Sequence, residues 1–294
     1  MADGDYERGR GREIAAIAAR LKRLAASRLE AGASHTASGA SRPGILVLNG
    51  WAASPQAWDL CGFAGSGLQV SSSKFQVSGS RFQVPGSRFQ GLDVRLFSYI
   101  DQLDGLPEKA FALSASKFVL VGWSMGGSSA LRLACQFPDR VAGLVLLAAT
   151  PRMMEVKETG WRGMSPRRLD ALRKGLELTH GEGFFGVPEG KPNPYMVDVS
   201  ENLERGLKYL LETDIRADLE RVFAPHSDIP PFPVHIFQSE RDGIVRPENA
   251  DYLKTIFPQA RLTMVPGTEH ALPIEIPKEI DDAVDACLAV AAKG

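Results

Sequence analysis

Cysteine is scarce in this sequence, which contains three in 294 residues: Cys61, Cys135 and Cys287. They lie far apart, without a Cys-x-x-Cys pair or a Cys/His spacing suited to metal binding. This pattern argues against the disulfide framework of a small secreted domain and against a structural zinc site. We therefore expect the protein to work in a reducing compartment.

Long apolar runs and a dominant sign of charge are also missing. No run approaches the roughly 18 to 20 residues that a membrane-spanning helix needs, and the N-terminus lacks the apolar segment and cleavage site of a signal peptide. The 34 Lys and Arg against 35 Asp and Glu leave a net charge of -1, so no whole-chain field attracts nucleic acid or an anionic membrane. The sequence predicts a cytoplasmic protein without a transmembrane segment or a nucleic-acid partner.

Short apolar runs, by contrast, recur along the chain and alternate with helix-like segments. The composition, 44% hydrophobic and 23% charged, is that of an ordinary globular protein. Runs typical of strands buried on both faces occupy 45–48, 94–100, 118–122, 144–147, 234–237 and 262–265. Helical patterns occupy 128–136, 247–256 and 277–291. The alternation predicts an α/β fold, a mostly parallel sheet with helices on both faces.

Four segments follow from this pattern. Residues 1–43 are predicted to form an amphipathic helix and a flexible linker rich in Gly, Ala and Ser. Residues 44–150 and 229–294 form the two halves of the core, and the mostly helical, charged stretch 151–228 between them is predicted to be an inserted lid. A seven-residue repeat at 71–90 is too short to bury a core of its own, so we expect an exposed insertion.

The motif Gly122-Trp123-Ser124-Met125-Gly126 matches Gly-x-Ser-x-Gly between a predicted strand and a predicted helix. In that context the serine lies on a sharp, strained bend, and the flanking glycines let strand and helix pass closely. The serine would stand at a helix N-terminus, where the dipole and free N–H groups favour a developing negative charge. The pattern predicts that Ser124 is a nucleophile.

A serine hydroxyl needs a base to remove its proton, and a histidine oriented by a carboxylate can supply it. His270 lies in the loop after the last predicted strand. The loop after the preceding strand offers two acids, of which Asp242 is preferred and Glu240 is the alternative. The chain order Ser124, Asp242, His270 is that of α/β-hydrolases and differs from that of chymotrypsin and subtilisin.

Two backbone N–H groups are expected to form an oxyanion hole. One belongs to Met125, which follows the nucleophile, and the other to Trp51, in the loop after the first core strand. Gly50 would let that loop approach the serine. The indoles of Trp51 and Trp123 are candidates for the apolar wall of a substrate pocket, and simple core packing would explain them equally well.

Five stretches carry a resemblance to a known family: 48–51 (Leu-Asn-Gly-Trp), 122–127 (Gly-Trp-Ser-Met-Gly-Gly), 161–166 (Trp-Arg-Gly-Met-Ser-Pro), 213–219 (Thr-Asp-Ile-Arg-Ala-Asp-Leu) and 242–245 (Asp-Gly-Ile-Val). With them, the chain resembles the α/β-hydrolase superfamily and, within it, the pimeloyl-acyl-carrier-protein methyl ester esterases of biotin synthesis. The resemblance implies cleavage of a methyl ester from an acyl chain on acyl carrier protein, by Ser, Asp and His and with no cofactor. Asn49 departs from the family, which usually has histidine before Gly-Trp.

A local excess of positive charge lies between residues 152 and 174, with seven cations against three anions. Such a patch would steer an acidic partner such as acyl carrier protein, although a solvated helix face explains the same charges. Arg162, Arg167 and Arg168 are the candidates for docking it.

The sequence thus predicts a serine carboxylesterase that acts on an acyl-chain methyl ester. A general small-ester or thioester hydrolase with the same three residues is the second hypothesis. A catalytically silent binding protein of the same fold is the third.

Overall fold

The computed structural model describes residues 42–63, 69–70, 88–89, 91–114, 116–179, 193, 195, 200–223, 232–267 and 269–293. The predicted N-terminal helix, nearly all of its linker, and the first two copies of the repeat lie outside these residues. The described residues belong to two compact units. One contains residues 42–106 and 116–293, and the other is represented by residues 107–114.

Seven strands of the described residues form one sheet. They are β1 (Gly44–Leu48), β2 (Gln69–Val70), β3 (Val94–Phe97), β4 (Phe118–Trp123), β5 (Val141–Leu147), β6 (Val234–Ser239) and β7 (Arg261–Val265). Their order across the sheet is β2-β3-β1-β4-β5-β6-β7, and every pairing is parallel. The strands β1, β4 and β5 are buried along their whole length, which explains their continuous apolar sequences. The predicted parallel α/β sheet is confirmed.

Helices follow most of these strands. They are α1 (Tyr99–Leu103), α2 (Leu106–Leu113), α3 (Met125–Gln136), α4 (Pro166–Thr179), α5 (Ser200–Glu212), α6 (Arg216–Val222), α7 (Glu248–Ile256), α8 (Leu272–Glu275) and α9 (Pro277–Ala291). The three helices predicted from the sequence correspond to α3, α7 and α9, and α3 begins at Met125 rather than at 128. No helix in the described part of the chain is long and apolar enough to span a bilayer.

The apolar run at 94–100 was expected to be a single strand, but the strand β3 ends at Phe97. Helix α1 starts there because Ser98 and Asp101 cap it reciprocally. The Ser98 side chain accepts from the N–H of Asp101, and the Asp101 carboxylate accepts from the N–H of Ser98. Tyr99, which continues the apolar run, therefore belongs to a helix.

The insertion between β5 and β6 contains α4, α5 and α6. Leu169 of α4 and Leu210 of α5 share an apolar cluster with Tyr99 of α1 and Met125 of α3. The insertion therefore packs over the start of α3, at the carboxyl ends of the strands, where open parallel sheets carry their sites. Its role as a lid, with the boundaries 151–228, stays a prediction.

The prediction that the whole repeat at 71–90 is exposed is wrong at Phe89, which belongs to its third copy. Phe89 is 1% exposed and stacks on Phe63 at 5.2 Å between ring centroids. Arg88 forms ion pairs with Asp282 and Asp285 of α9, each at 2.6 Å. Phe89 is therefore packed in the core against Phe63, while Arg88 beside it stays exposed and is held by its two ion pairs.

Replacing Phe89 with alanine is expected to lower the free energy of unfolding by about 3–5 kcal/mol, since it removes a buried aromatic ring and leaves a cavity. The matched control is Leu178→Ala on α4, where the side chain is 82% exposed. Chemical denaturation of both variants measures the difference. If Phe89→Ala lowers the free energy of unfolding no more than Leu178→Ala does, the burial of Phe89 is contradicted.

Candidate active site

Ser124 occupies the turn between β4 and α3. Its backbone torsions are φ 57° and ψ -119°, a positive φ that non-glycine residues rarely adopt. The Ser124 N–H donates to the Leu147 carbonyl of β5 at 2.9 Å, and the Ser124 carbonyl accepts from the Gly127 N–H at 2.9 Å. These bonds hold the strained residue in place at the N-terminus of α3.

Glycine is required around this turn because α3 starts directly against two strands. A Cβ on Gly122 would lie 2.5 Å from the Gly126 carbonyl oxygen, and a Cβ on Gly126 would overlap the Leu48 carbonyl oxygen of β1. A Cβ on Gly127 would overlap the side chain of Ala149. A side chain at any of these positions would push the helix away from the sheet.

The structure brings His270 and Asp242 to Ser124. The His270 Nε2 lies 2.9 Å from the Ser124 Oγ, and the His270 Nδ1 lies 2.8 Å from the Asp242 Oδ2. Asp242 follows β6 and His270 follows β7, so adjacent parallel strands deliver both side chains to the same edge of the sheet. Each of the three residues is buried, with at most 8% of its surface exposed.

The Asp242 carboxylate has no exposed surface, and backbone N–H groups satisfy its second oxygen. Its Oδ1 accepts from the N–H of Ile244 at 2.8 Å and from that of Val245 at 2.9 Å. The Gln238 amide donates to Oδ2 at 3.3 Å, beside the His270 ring. A buried carboxylate needs such donors to stay charged. The sequence analysis missed Gln238, whose signal was a polar residue near the end of an apolar strand.

Glu240, the alternative acid, is exposed and lies at the start of the same loop. Its backbone N–H donates to the Val265 carbonyl of β7 at 3.2 Å. Of the two candidate acids, Asp242 is the one that contacts His270. The loop thus turns Asp242 inward and leaves Glu240 in solvent.

Glu275 of α8 adds a further carboxyl group near the histidine. Burial raises the pKa of Glu275 above its ordinary value, and the charges of Glu269 and Asp242 act in the same direction. A backbone hydrogen bond from Glu269 and the charge of His270 oppose them. Because desolvation disfavours the charged form, partial burial is the main cause of this shift.

Asn49 anchors the loop that contains Trp51, the second predicted oxyanion donor. The Asn49 Oδ1 accepts from the Gly50 N–H at 3.0 Å and from the Trp58 indole at 3.1 Å. The Asn49 Nδ2 donates to the Ala53 carbonyl at 2.9 Å. The asparagine that departs from the family pattern therefore connects the backbone of this loop at Gly50 and Ala53 with the Trp58 indole.

Met125 and Trp51 lie where oxyanion donors were predicted. Met125 is the first residue of α3, a position whose backbone N–H has no acceptor within the helix. Trp51 lines the same cavity as Ser124. Their roles as donors stay a prediction.

A small cavity of about 30 Å³ lies beside the serine and the histidine. Its lining is mostly apolar and comprises Gly50, Trp51, Trp123, Ser124, Met153, Leu169, Leu172, Leu176, Leu210, Ile244 and His270. Leucines of α4 and α5 form part of its wall, so their positions set how long an acyl chain the cavity can hold.

The two predicted pocket tryptophans also make structural contacts. Trp123 is 1% exposed, and its Nε1 donates to the His270 carbonyl at 2.8 Å. The Trp51 indole packs against Gly206 of α5 so closely that a Cβ there would overlap it. Both tryptophans therefore combine core packing with a place in the cavity wall.

The three arginines predicted to dock a carrier differ in their contacts. Arg162 pairs with Glu248 at 3.1 Å and keeps 71% of its side chain exposed. Arg168 donates from Nη2 to the Gly243 carbonyl at 2.8 Å. Arg167 is exposed, and no ion pair found within the described ranges involves it. Arg167 is therefore the least constrained of the three.

The arrangement of these groups suits acyl transfer through a covalent intermediate. A histidine held by a buried carboxylate can remove the proton of a serine, and a helix N-terminus stabilises negative charge. Within the described part of the chain, no three His, Cys, Asp or Glu side chains are placed to hold a metal ion.

The chain is similar to known proteins in both sequence and fold. Residues 111–277 match the family of the alpha/beta hydrolase fold. A pimeloyl-[acyl-carrier protein] methyl ester esterase of Nitrosomonas europaea is 26% identical over 274 residues, which cover 86% of this chain and 98% of that protein. A protein of the same name from Aromatoleum aromaticum is 26% identical over 270 residues, covering 83% and 99%. An esterase structure from Exiguobacterium antarcticum aligns with a TM-score of 0.58 at 16% identity, over 85% of this chain and 93% of that chain, a likeness of fold.

Replacing Asp242 with asparagine is expected to lower the turnover of an activated ester by about 10³- to 10⁴-fold, because the imidazole loses the acceptor that orients it. Glu240→Gln, a change of the same kind in the same loop, should stay within about twofold of the unchanged protein. Rates with p-nitrophenyl acetate measure both. The opposite ranking would assign the acid role to Glu240.

Proposed function

This chain belongs to the α/β-hydrolase fold family, and we propose that it hydrolyses an acyl-chain methyl ester through a covalent acyl-enzyme on Ser124. It is a carboxylic ester hydrolase, by its family and by the esterases among its relatives. The observation that carries the mechanism is the double contact of His270, at 2.9 Å to Ser124 and 2.8 Å to Asp242.

In the first half of the reaction, the Ser124 Oγ attacks the ester carbonyl while His270 Nε2 takes the hydroxyl proton. The N–H groups of Trp51 and Met125 donate to the oxyanion of the tetrahedral intermediate. The intermediate collapses, the acyl–oxygen bond breaks, and the histidine returns its proton to the departing methoxide. Methanol leaves and the acyl group stays on the serine.

In the second half, a water molecule takes the place of methanol. His270 accepts a proton from the water while the water oxygen attacks the acyl carbonyl and forms a second tetrahedral intermediate. The bond between the acyl carbon and the Ser124 Oγ then breaks, and the histidine gives its proton to that oxygen. The carboxylate of Asp242 stabilises the imidazolium that exists between the two proton transfers. The free acid leaves and the starting enzyme is restored.

A carrier-bound acyl chain is the proposed substrate, with acyl carrier protein as partner. Support comes from the relatives of N. europaea and A. aromaticum, which are named as pimeloyl-[acyl-carrier protein] methyl ester esterases and match this chain over almost their whole length. The apolar lining of the cavity suits an acyl chain. Since all three cysteines are free thiols, we also propose that the enzyme works in the reducing cytoplasm.

A general small-ester hydrolase is the second candidate, favoured by the cavity of about 30 Å³. With α4 and α5 in these positions, the cavity suits a short acyl group better than a long one. A catalytically silent binding protein is the weakest of the three hypotheses, because the contacts among the serine, histidine and aspartate are intact.

The docking proposal for the carrier starts from Arg162, Arg167 and Arg168. All three lie in the insertion that contributes leucines to the cavity wall, so a carrier bound there would lie beside the helices that line the cavity. Long-range attraction between such exposed charges and an acidic carrier raises the rate of encounter without touching the reacting carbonyl.

Ser124→Ala is expected to fold normally and to lower ester turnover by about 10⁴-fold or more, since no acyl-enzyme can form. The assay uses p-nitrophenyl esters of graded chain length and a methyl-pimeloyl carrier protein, with circular dichroism as the folding control. A specificity constant that is highest for the carrier-bound ester supports the proposed substrate. Retention of most activity by Ser124→Ala would contradict the nucleophile, and a preference for short esters would favour the second candidate.

The double variant Arg162→Glu/Arg167→Glu should raise the Michaelis constant for a carrier-bound ester and leave that for p-nitrophenyl acetate nearly unchanged. Arg168 is omitted because its bond to Gly243 would confuse the readout. The difference in this Michaelis constant between the double variant and the unchanged protein should shrink in high salt, since the Debye length falls from roughly 10 Å at 0.1 M to about 3 Å at 1 M.

The control for this test is Lys278→Glu, the same reversal of charge on α9, outside the insertion, where the lysine is 79% exposed. It should leave the ratio of specificity constants for the two substrates unchanged. An unchanged ratio in the double variant as well would contradict docking at the insertion.

A further inference from the structure

A single peptide group connects the insertion to the catalytic acid. The Arg168 Nη2 of α4 donates to the Gly243 carbonyl oxygen at 2.8 Å. The N–H of the same peptide unit belongs to Ile244 and donates to the Asp242 Oδ1 at 2.8 Å. The chain of contacts therefore runs from a guanidinium, through one peptide group, to the carboxylate that holds His270.

The loop needs an anchor at this peptide because Gly243 has the largest backbone freedom of any residue type. Gly243 is exposed, and a Cβ built on it would meet one heavy atom within 4 Å in the described structure, the Arg168 Nη2 at 3.7 Å. Rotation of this peptide would withdraw the Ile244 N–H from Asp242. Arg168 opposes that rotation from the exposed side of the loop.

The bond also acts electrostatically on the peptide. A cationic donor on a carbonyl oxygen polarises the peptide group, and hydrogen bonds in such a chain strengthen one another. The Ile244 N–H thereby becomes a better donor to the Asp242 carboxylate. The placement of the Gly243–Ile244 peptide and its polarisation by Arg168 thus favour the same orientation of Asp242.

Arg168 can exert this effect because its own backbone is fixed. Its N–H lies 3.3 Å from the Ser165 Oγ and 3.0 Å from the Ser165 carbonyl, at the start of α4. The next residue, Leu169, is fully buried against Met125 and lines the cavity beside Ser124. The helix turn that forms the cavity wall is thus the turn that holds the acid loop.

We propose that Arg168 is a positioning residue for Asp242, which acts through the Gly243–Ile244 peptide and makes the placement of α4 a condition of efficient catalysis. The proposal rests on the assignment of Ser124, His270 and Asp242 given under the proposed function. It gives Arg168 a role in the chemical step, separate from the docking of a carrier.

The test compares Arg168→Ala and Arg168→Lys with Lys174→Ala, a control that removes a charge from the same helix at a side chain that is 61% exposed. The substrate is p-nitrophenyl acetate, whose acetyl group is small. Arg168→Ala should lower kcat about tenfold, because a charged hydrogen bond that helps to orient Asp242 in the transition state is lost. KM should stay within about twofold. Arg168→Lys should recover part of kcat, and Lys174→Ala should leave it unchanged.

Chemical rescue separates positioning from a structural defect. Methylguanidinium, added below the concentration that unfolds the protein, should raise kcat of Arg168→Ala by restoring a cation at the Gly243 carbonyl, and should not raise that of Lys174→Ala. The midpoint of thermal unfolding should be alike in both variants. These results would support the positioning role.

Two results would overturn the inference alone while Ser124→Ala stays inactive. The first is a kcat of Arg168→Ala within twofold of the control, and the second is a loss that methylguanidinium does not restore. A wild-type protein without esterase activity, or an active Ser124→Ala, would instead overturn the proposed function, and the inference with it.

Discussion

The close passage of α3 over the carboxyl end of β1 is the constraint on which the site depends. It is possible because Gly126 has no side chain to meet the Leu48 carbonyl. The same crossing sets the positive φ of Ser124 and brings the loop after β1 next to the serine. This backbone contact lies beside Ser124, the proposed nucleophile, and between the two segments that carry the predicted oxyanion donors Trp51 and Met125.

Burial of a charged acid is the second requirement, and the loop after β6 meets it. Asp242 stays inside the protein because two backbone N–H groups and the Gln238 amide surround it. The loop that supplies the N–H groups has few neighbouring atoms at Gly243. Arg168 of the insertion donates a hydrogen bond to the Gly243 carbonyl there. The insertion thus contacts the loop that carries Asp242 and also forms part of the cavity wall.

The parts of the fold and of the candidate site that could be predicted from the sequence are those that leave a pattern along the chain. The strand-to-helix context of Ser124 depends on neighbouring residues alone, and the parallel sheet follows from short apolar runs. The order of Ser124, Asp242 and His270 can be read directly along the chain. The burial of Phe89 and the contact of Arg168 with Gly243 depend on partners far away in the chain, which no local pattern reveals. The partners of Asn49 lie close in the chain, at Gly50, Ala53 and Trp58, but the sequence pattern does not reveal that their hydrogen bonds meet on one amide.

The most direct test of the account is to trap the acyl-enzyme and locate it. The protein is mixed with a slowly hydrolysed p-nitrophenyl ester and quenched in acid within the first turnover, and its intact mass and peptides are measured. We expect a mass increase of one acyl group on the peptide that contains Ser124, and none in Ser124→Ala. Steady turnover without an adduct, or an adduct on another residue, would contradict a mechanism through Ser124.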